Sequence, residues 1–489
     1  MNTTSSPLPL AAELQTWAPF VRGRKFLWLL APPWDHVWTR QNHFATRLAR
    51  LGAEVLYVEN PSSWTSTLKQ KNWRRLPAGA TASVREIEPG LHVMKPAFTL
   101  PGGMRSDFIA RTNAAFIAGQ VAAWTGERGW TDCVGWCRLP HSGFALERLR
   151  PATTVYDITD DYELFELDPR TRARVRERET KLIRRADCVF VTTPELQRKE
   201  NLDGVITHRI PNGVDVDLFA QAGQPGEIPP LVSMMRRPII GCVGLVSPWT
   251  DFDLLEKLGR RWPNQVLMVG PVAAQVEERA KALPGVVWGG FVPQRELPPY
   301  LRGMDVCIMP YVVNDRTVKA SPLRMWEYIA TGKPVVSVDL PAVRAASEYV
   351  DVARDREHFV ALLEQRLTSG AAYPASAAQS AARAYSWDTI FHEMMQHLEP
   401  HLRAAQRRGD ITERNPNVRT DEVPERGSPD PQPVGSLGTV QNVSARPSLP
   451  AAAGQETRAP HAKPASELRA NTPSLHHSPS PTLPPLKSP

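Results

Sequence analysis

Residues 305–336, DVCIMPYVVNDRTVKASPLRMWEYIATGKPVV, concentrate side chains able to hold an anion. An apolar run ends at Pro310 and a polar loop follows. Ser321-Pro322 then opens a helical pattern, Ser as a favoured N-cap and Pro as a favoured first helical residue. Gly332 closes the pattern and Pro334 lies just beyond it. A helix that starts at the carboxyl edge of a sheet offers free N–H groups and the positive end of its dipole, which suits phosphate. Lys319 precedes this start and Arg324 lies in its first turn. Cations there oppose the dipole at a cost of about 0.3–1 kcal/mol, a sign that a bound diphosphate reverses. Glu327 follows about 9 Å along the axis at ~1.5 Å per residue, the reach from a diphosphate to a ribose. A carboxylate there can accept two vicinal hydroxyls. The same spacing also fits a surface helix carrying an Arg324–Glu327 ion pair.

Other candidates lie upstream. His141 follows the apolar run VGWCRLP and reads either as a catalytic imidazole or as a structural one. YDITDDYE sets Asp157, Asp160, Asp161 and Glu163 behind a strand pattern, where carboxylates bind acceptor hydroxyls, act as a base, or cap a helix. Trp34, Asp35, Trp38, Arg40 and Gln41 share the first loop, and their two readings are stacking and polar contact on a sugar ring and ordinary packing. Asn212-Gly213 reads as a turn near a crossover between domains. Cys133 and Cys137 lack a second ligand pair, so they read as buried thiols, and no metal site is expected.

These residues need a frame, and the alternation of patterns supplies one. KFLWLLA, HFATRLARLG and EVLYVEN form a β-α-β unit with Gly52 at the helix end. VMKPAF, a helix near 105–126, DCVGWC, TVYDIT, the charged helix RTRARVRERETKLIRRA and CVFVTT continue it. A second series starts near residue 238 with PIIGCVGL and runs through DFDLLEKLGRRW, QVLMVG, VVWGGF, ELPPYLRGM, DVCIMP and SPLRMWEYIATG to PVVSVDL. Near-continuous apolar runs suit parallel sheets covered on both faces. The expectation is an α/β protein with two Rossmann-like domains facing a cleft. Residues 1–22 would be an extension, 23–220 a first Rossmann-like domain and 221–405 a second. The helix 386–405 is a candidate to pack back on the first domain. The tail from 406 to 489, rich in Pro and Ser, reads as disordered.

The chain has 489 residues and a net charge of +7, 42% of it hydrophobic and 22% charged, which allows large cores. No apolar run reaches the ~18 residues of a membrane span, and the first residues lack the pattern of a secretory signal. Five scattered cysteines suit a reducing compartment, hence a cytoplasmic expectation. The cations are dispersed without interleaved aromatics, so nucleic acid is not an expected partner. Anionic small molecules fit better. The arginines near 170–185 make that helix the candidate for a peripheral contact with an anionic membrane at the inner face of the cell membrane.

Taken together, PNGVDVDLF (211–219), GLVSPWTDFDLLEKL (244–258), GGFVPQRELPPYLRGMDVCIMPY (289–311) and above all SPLRMWEYIATGKPVV (321–336) resemble the GT-B-fold glycosyltransferases, specifically the retaining family 4 group. WDHVWTRQNHFATRLARLGAEVLYVE and YDITDDYELF are similar to a subgroup of cell-wall and exopolysaccharide assembly. The resemblance implies transfer of a sugar from a UDP- or GDP-type nucleoside diphosphate sugar to a saccharide or lipid-linked acceptor, with no separate cofactor and without a metal. It implies that the first domain, 23–220, takes the acceptor and the second, 221–405, the nucleotide sugar. It implies Glu327 on the ribose, the Ser321, Pro322 and Leu323 backbone on the diphosphate, the Gly244–Ser247 loop against the phosphates and the Val292 backbone on the base. The family pattern has two glutamates eight positions apart; Lys319 occupies the earlier one. The usual lysine after the first glycine loop gives way to a stretch with Asp251 and Asp253, and the N-terminal glycine pair to Ala31-Pro32-Pro33. Lys319 and Arg324 would then carry the phosphate charge. A non-catalytic scaffold of this fold and a sugar-nucleotide epimerase are the alternatives.

Overall fold

Two sheets carry the chain, each built from the buried apolar runs that the patterning marks out. The computed structural model describes residues 11–61, 82–97, 99–166, 168–202 and 204–414. The expected tail therefore lies outside the described residues from 415 onward, as do residues 1–10.

The first sheet holds β1 (Lys25–Ala31), β2 (Glu54–Glu59), β3 (Ser83–Glu88), β4 (Leu91–Lys95), β5 (Cys133–Cys137), β6 (Thr153–Ile158), β7 (Cys188–Val191) and β8 (Thr207–Arg209). Their order is β3-β4-β2-β1-β5-β6-β7-β8. Only β3 is antiparallel to its neighbour. The second sheet holds β9 (Ile240–Val243), β10 (Val266–Val269), β11 (Val286–Trp288), β12 (Val306–Met309), β13 (Val335–Val338) and β14 (Asp351–Ala353). Its order is β11-β10-β9-β12-β13-β14, parallel throughout. Central strands such as β6 and β9 are buried at every position, because helices cover both faces. In each sheet the order reverses once, at β1/β5 and at β9/β12, and a crevice opens at the carboxyl ends of such strands.

Six helices matter to the site: α1 (Arg40–Arg50), α2 (Asp107–Gly126), α3 (Pro169–Arg185), α4 (Phe252–Arg261), α5 (Leu323–Thr331) and α6 (Trp387–Arg414). Asp251 caps α4 by accepting from the Leu254 N–H, so the Asp251–Asp253 stretch serves the helix end. The last helix crosses back to the first sheet. Trp387, Phe391, Met394, Leu398 and Leu402 share one core with Phe44, Leu48, Trp136 and Phe190. That core also takes Leu14, Ala18 and Val21, so from Ala12 onward the presumed N-terminal extension is part of the first lobe.

Elements with weak apolar patterns are the ones that sequence reading passes over. β3 (SVREIE) and β8 (THR) are edge strands with half-exposed side chains, and neither stands out in the sequence.

The membrane expectation for α3 fares differently. Arg178 is buried on Asp107 at 2.6 Å, Arg176 lies 2.6 Å from Glu200, Arg172 donates to the Glu166 carbonyl at 3.1 Å and Arg185 lies 3.8 Å from Glu147. The arginine density of this helix thus goes largely into pairs within the protein, and only some of it is available to a lipid surface.

Candidate nucleotide site in the cleft

The cleft cavity begins where β9 and β10 end. Gly244 has φ +107° and Gly270 φ +146°, both in the region that favours glycine. A Cβ on Gly270 would lie 2.2 Å from the Gly244 carbonyl oxygen, and a Cβ on Gly244 would lie 2.8 Å from the Arg324 guanidinium. Two bare backbones can therefore pack on each other, and that of Gly244 on a cation. That cation sits in the first turn of α5, a helix held against β9 by Tyr328, whose hydroxyl accepts from the Val243 N–H at 2.7 Å.

Helix α5 begins one residue later than the sequence suggests. Pro322 is the N-cap, and no side chain caps this end. Pro322 is extended, and the Ser321 carbonyl accepts from Asn212 Nδ2 at 2.9 Å. Leu323 and Arg324 of this first turn line the cavity, and helix starts leave backbone N–H groups open to a ligand.

Arg324 Nη1 lies 3.0 Å from Cys242 Sγ and Nη2 lies 3.3 Å from the Leu245 carbonyl oxygen. Its guanidinium also sits 5.2 Å from the centre of the Tyr311 ring. Among the described residues no carboxylate forms an ion pair with it. Glu327, three residues on, instead accepts from Gln294 Nε2 at 2.9 Å. The surface ion pair that the spacing allowed is absent because α5 is buried along most of its length. Burial raises the Glu327 carboxyl to about 7, against the pull of Gln294 and Arg324.

Both lobes line this cavity, which measures about 260 Å³. The second lobe gives Gly244, Leu245, Gly270, Val292, Gln294, Tyr311, Ser321, Leu323, Arg324 and Glu327. The first lobe gives Trp38, Thr39, Arg40, Gln41, Arg138, Thr159 and Asp160. Of the residues proposed from sequence for the nucleotide, Gly244, Val292, Ser321, Leu323, Arg324 and Glu327 meet here; Pro322 is the adjoining N-cap and does not line the wall.

Several candidates sit elsewhere. Ser247 is wholly buried under its own turn, where its N–H is 3.1 Å from Thr250 Oγ1. Lys319 Nζ reaches across the cleft to Asp161, 2.5 Å away, so its charge is spent on a buried carboxylate of the other lobe. Asp157 cannot meet a substrate: it is fully buried within β6, where Arg40 Nε lies 3.0 Å from it. Burial pushes its carboxyl up while Arg40 pulls it back. The four carboxylates of YDITDDYE thus part company, and Asp160 is the one that lines the cavity.

His141 lines a second cavity in the first lobe, about 550 Å³, with Leu30, Asn60, Leu100, Tyr162 and Arg138. Burial, with Arg178 and Arg138 nearby, pulls its ring down to about 4, so it is neutral. Arg138 is common to both cavities. Trp34 is packed edge-on against Tyr57 at 5.0 Å and Trp38 at 5.6 Å, which corrects its reading as a sugar platform. Asp35 is exposed and pairs with Arg85. Gln41 and Arg40 do reach the cleft wall, Arg40 while donating to the Ile210 carbonyl at 2.7 Å.

Sequence reasoning missed Arg138, Gly270, Gln294 and Tyr311. Arg138 and Tyr311 are each among the first polar side chains after an apolar strand, the same position that points to the residues it did find.

Residues 237–368 match the family model of glycosyl transferases group 1. Over 239 residues the chain is 26% identical to TuaH of Bacillus subtilis, provisionally named a teichuronic acid biosynthesis glycosyltransferase. That alignment spans 46% of this chain and 60% of the relative. Among solved structures, a sucrose-phosphate synthase of Thermosynechococcus elongatus is similar with a TM-score of 0.58 at 17% identity, over 78% of this chain and all (100%) of that one. An E. coli protein titled trehalose-6-phosphate, bound with UDP-2-fluoro glucose, gives 0.55 at 12% identity over 77% and 99%. HepE of Anabaena, solved with UDP and glucose, gives 0.52 at 16% identity over 77% and 99%. At these identities the likeness speaks for the fold.

Proposed function

We propose that this chain, a GT-B-fold protein whose residues 237–368 match the glycosyl transferases group 1 domain, moves a sugar from a nucleoside diphosphate sugar to a saccharide or lipid-linked acceptor in polysaccharide assembly. The observation that carries the reading is Arg324. It is a half-buried guanidinium in the cleft wall with no carboxylate ion pair among the described residues, pressed against Gly244 beside an uncapped helix start. A cation partly withdrawn from water is costly unless an anion completes it. A diphosphate fits that requirement and also takes the free N–H groups of α5.

In the reaction the bond between the sugar's anomeric carbon and the diphosphate oxygen breaks, and one to the acceptor oxygen forms. The nucleoside diphosphate leaves with the bonding pair, and the acceptor hydroxyl loses a proton. Arg324 and the α5 dipole stabilise the charge that gathers on the leaving diphosphate. Glu327 exchanges its Gln294 partner for the ribose hydroxyls, and the Val292 backbone meets the base. Asp160 is the candidate to receive the acceptor proton. UDP is the favoured carrier, on the strength of the UDP complexes of similar structures, and retention of anomeric configuration follows the family resemblance. Charge stabilisation by Arg324 and the helix makes the donor site metal-independent.

A second reading, donor binding without turnover, draws on one feature: Lys319, standing where the resemblance expects a glutamate, is tied to Asp161. Incubation with labelled UDP- and GDP-sugars separates the two. Release of free sugar or transfer to added acceptors supports the enzyme; binding with no turnover under any acceptor supports the second reading. Donor binding should also persist in EDTA. Its loss there, with recovery on adding manganese or magnesium, would contradict the metal-independent site.

A further inference from the structure

At the edge of the first sheet, outside the cleft cavity, three metal-ligating side chains converge. Cys188 opens β7, His208 lies in the middle of β8 and His401 lies on α6. One ligand atom of each lies within 4.8 Å of the other two. Cys188 is buried in the core that α6 completes, and the two imidazoles are partly exposed. His397, one turn before His401, stacks on His208 with ring centres 4.3 Å apart. Two neighbouring strands and the last helix thus bring a thiol and two imidazoles together.

We propose that Cys188, His208 and His401 form a zinc site that staples α6 to the edge strands β7 and β8, with the fourth position taken by water. The donor set is soft sulfur plus imidazole, the combination that favours zinc over magnesium or calcium. Zinc–ligand bonds of about 2.0–2.3 Å in a tetrahedron put ligand atoms about 3.3–3.8 Å apart. The ligand atoms, within 4.8 Å of one another, therefore draw together by up to about 1 Å on binding. On binding, Cys188 gives its thiol proton to solvent and becomes the thiolate. His397 acts as a positioning residue, since its stacked ring fixes the plane of His208. The proposal stands apart from the glycosyltransferase reading, because the site shares no residue with the cleft.

The test uses the full chain, stripped of metal by a chelator and titrated with cobalt(II) alone. The expected result is one cobalt per chain with a thiolate-to-metal charge-transfer band in the near ultraviolet, displaced by one equivalent of zinc. Cys188→Ser should abolish the band. His208→Ala and His401→Ala, which alter partly exposed side chains, should each weaken zinc binding by more than the ~10–100-fold that a change outside the ligand set costs. Zinc should raise the melting temperature of the wild type and leave that of Cys188→Ser unmoved. Absence of the thiolate band, or zinc affinity unchanged in both histidine variants, would overturn the site.

Discussion

Glu327 links protonation to ligand in this account. Its carboxyl is raised to about 7 by burial, above its value in the unfolded chain. The folded state therefore holds an extra proton between the ordinary carboxyl range and about pH 7, and stability falls as pH rises through that window. Glu327→Gln should flatten this slope, so thermal melts between about pH 5 and pH 8 should separate wild type from variant; parallel slopes would refute the assignment. In the proposed donor site ribose hydroxyls would donate to the ionised carboxylate, so nucleotide affinity should rise over the same window in wild type and stay level in the variant. Lys319 makes the opposite case. Its ion pair with Asp161 removes it from the phosphates, so Lys319→Ala should change UDP affinity by less than ~3-fold, whereas a phosphate ligand would lose about 1.5–3 kcal/mol. A loss of that larger size in titration calorimetry would return Lys319 to the donor site.

The loops after β9 and β10 illustrate how far elements can be read in advance. Buried strands announce themselves by unbroken apolar runs, and β1 lies where its run KFLWLLA predicts. Helix α5 is legible from Gly332, which takes φ +73° at its end. Its start is displaced by one residue because Asn212, brought in from the other lobe, holds the Ser321 carbonyl. No local pattern encodes that contact. Nor does a sequence say which side of a strand faces a cleft: Asp157 and Asp160 are three residues apart, yet one is buried on Arg40 and the other lines the cavity. Gly270 carries a prediction at this scale. A methyl there would meet the Gly244 carbonyl at 2.2 Å with φ +146°, so Gly270→Ala should destabilise the fold by ~1–3 kcal/mol. Urea unfolding measures it, and a change under ~0.5 kcal/mol would mean the two loops are not held together.

At the scale of the whole molecule, the cleft is assembled by contacts that run between the lobes. Lys319 pairs with Asp161, Arg316 lies between the rings of Phe165 and Trp249 at 3.3 and 3.8 Å, and His36 stacks on Phe291 at 5.7 Å. Helix α6 returns to complete the first lobe's core. The two-lobed α/β frame was legible because each lobe repeats the same alternation of strand and helix. The net charge of +7 was a poorer guide. Much of the cationic surface is matched locally, as in α3, and the cations that line the cleft cavity are Arg40, Arg138 and Arg324.

The direct measurement is calorimetric titration of wild type and Arg324→Ala with uridine, UDP and GDP. The account predicts that at least one diphosphate binds the wild type and that Arg324→Ala costs that diphosphate about 1.5–3 kcal/mol, the range for a charged hydrogen bond. Any affinity for uridine, which has no phosphate, should be unaffected. Equal affinity of both proteins for the diphosphate, or no nucleotide binding by the folded wild type, would contradict it.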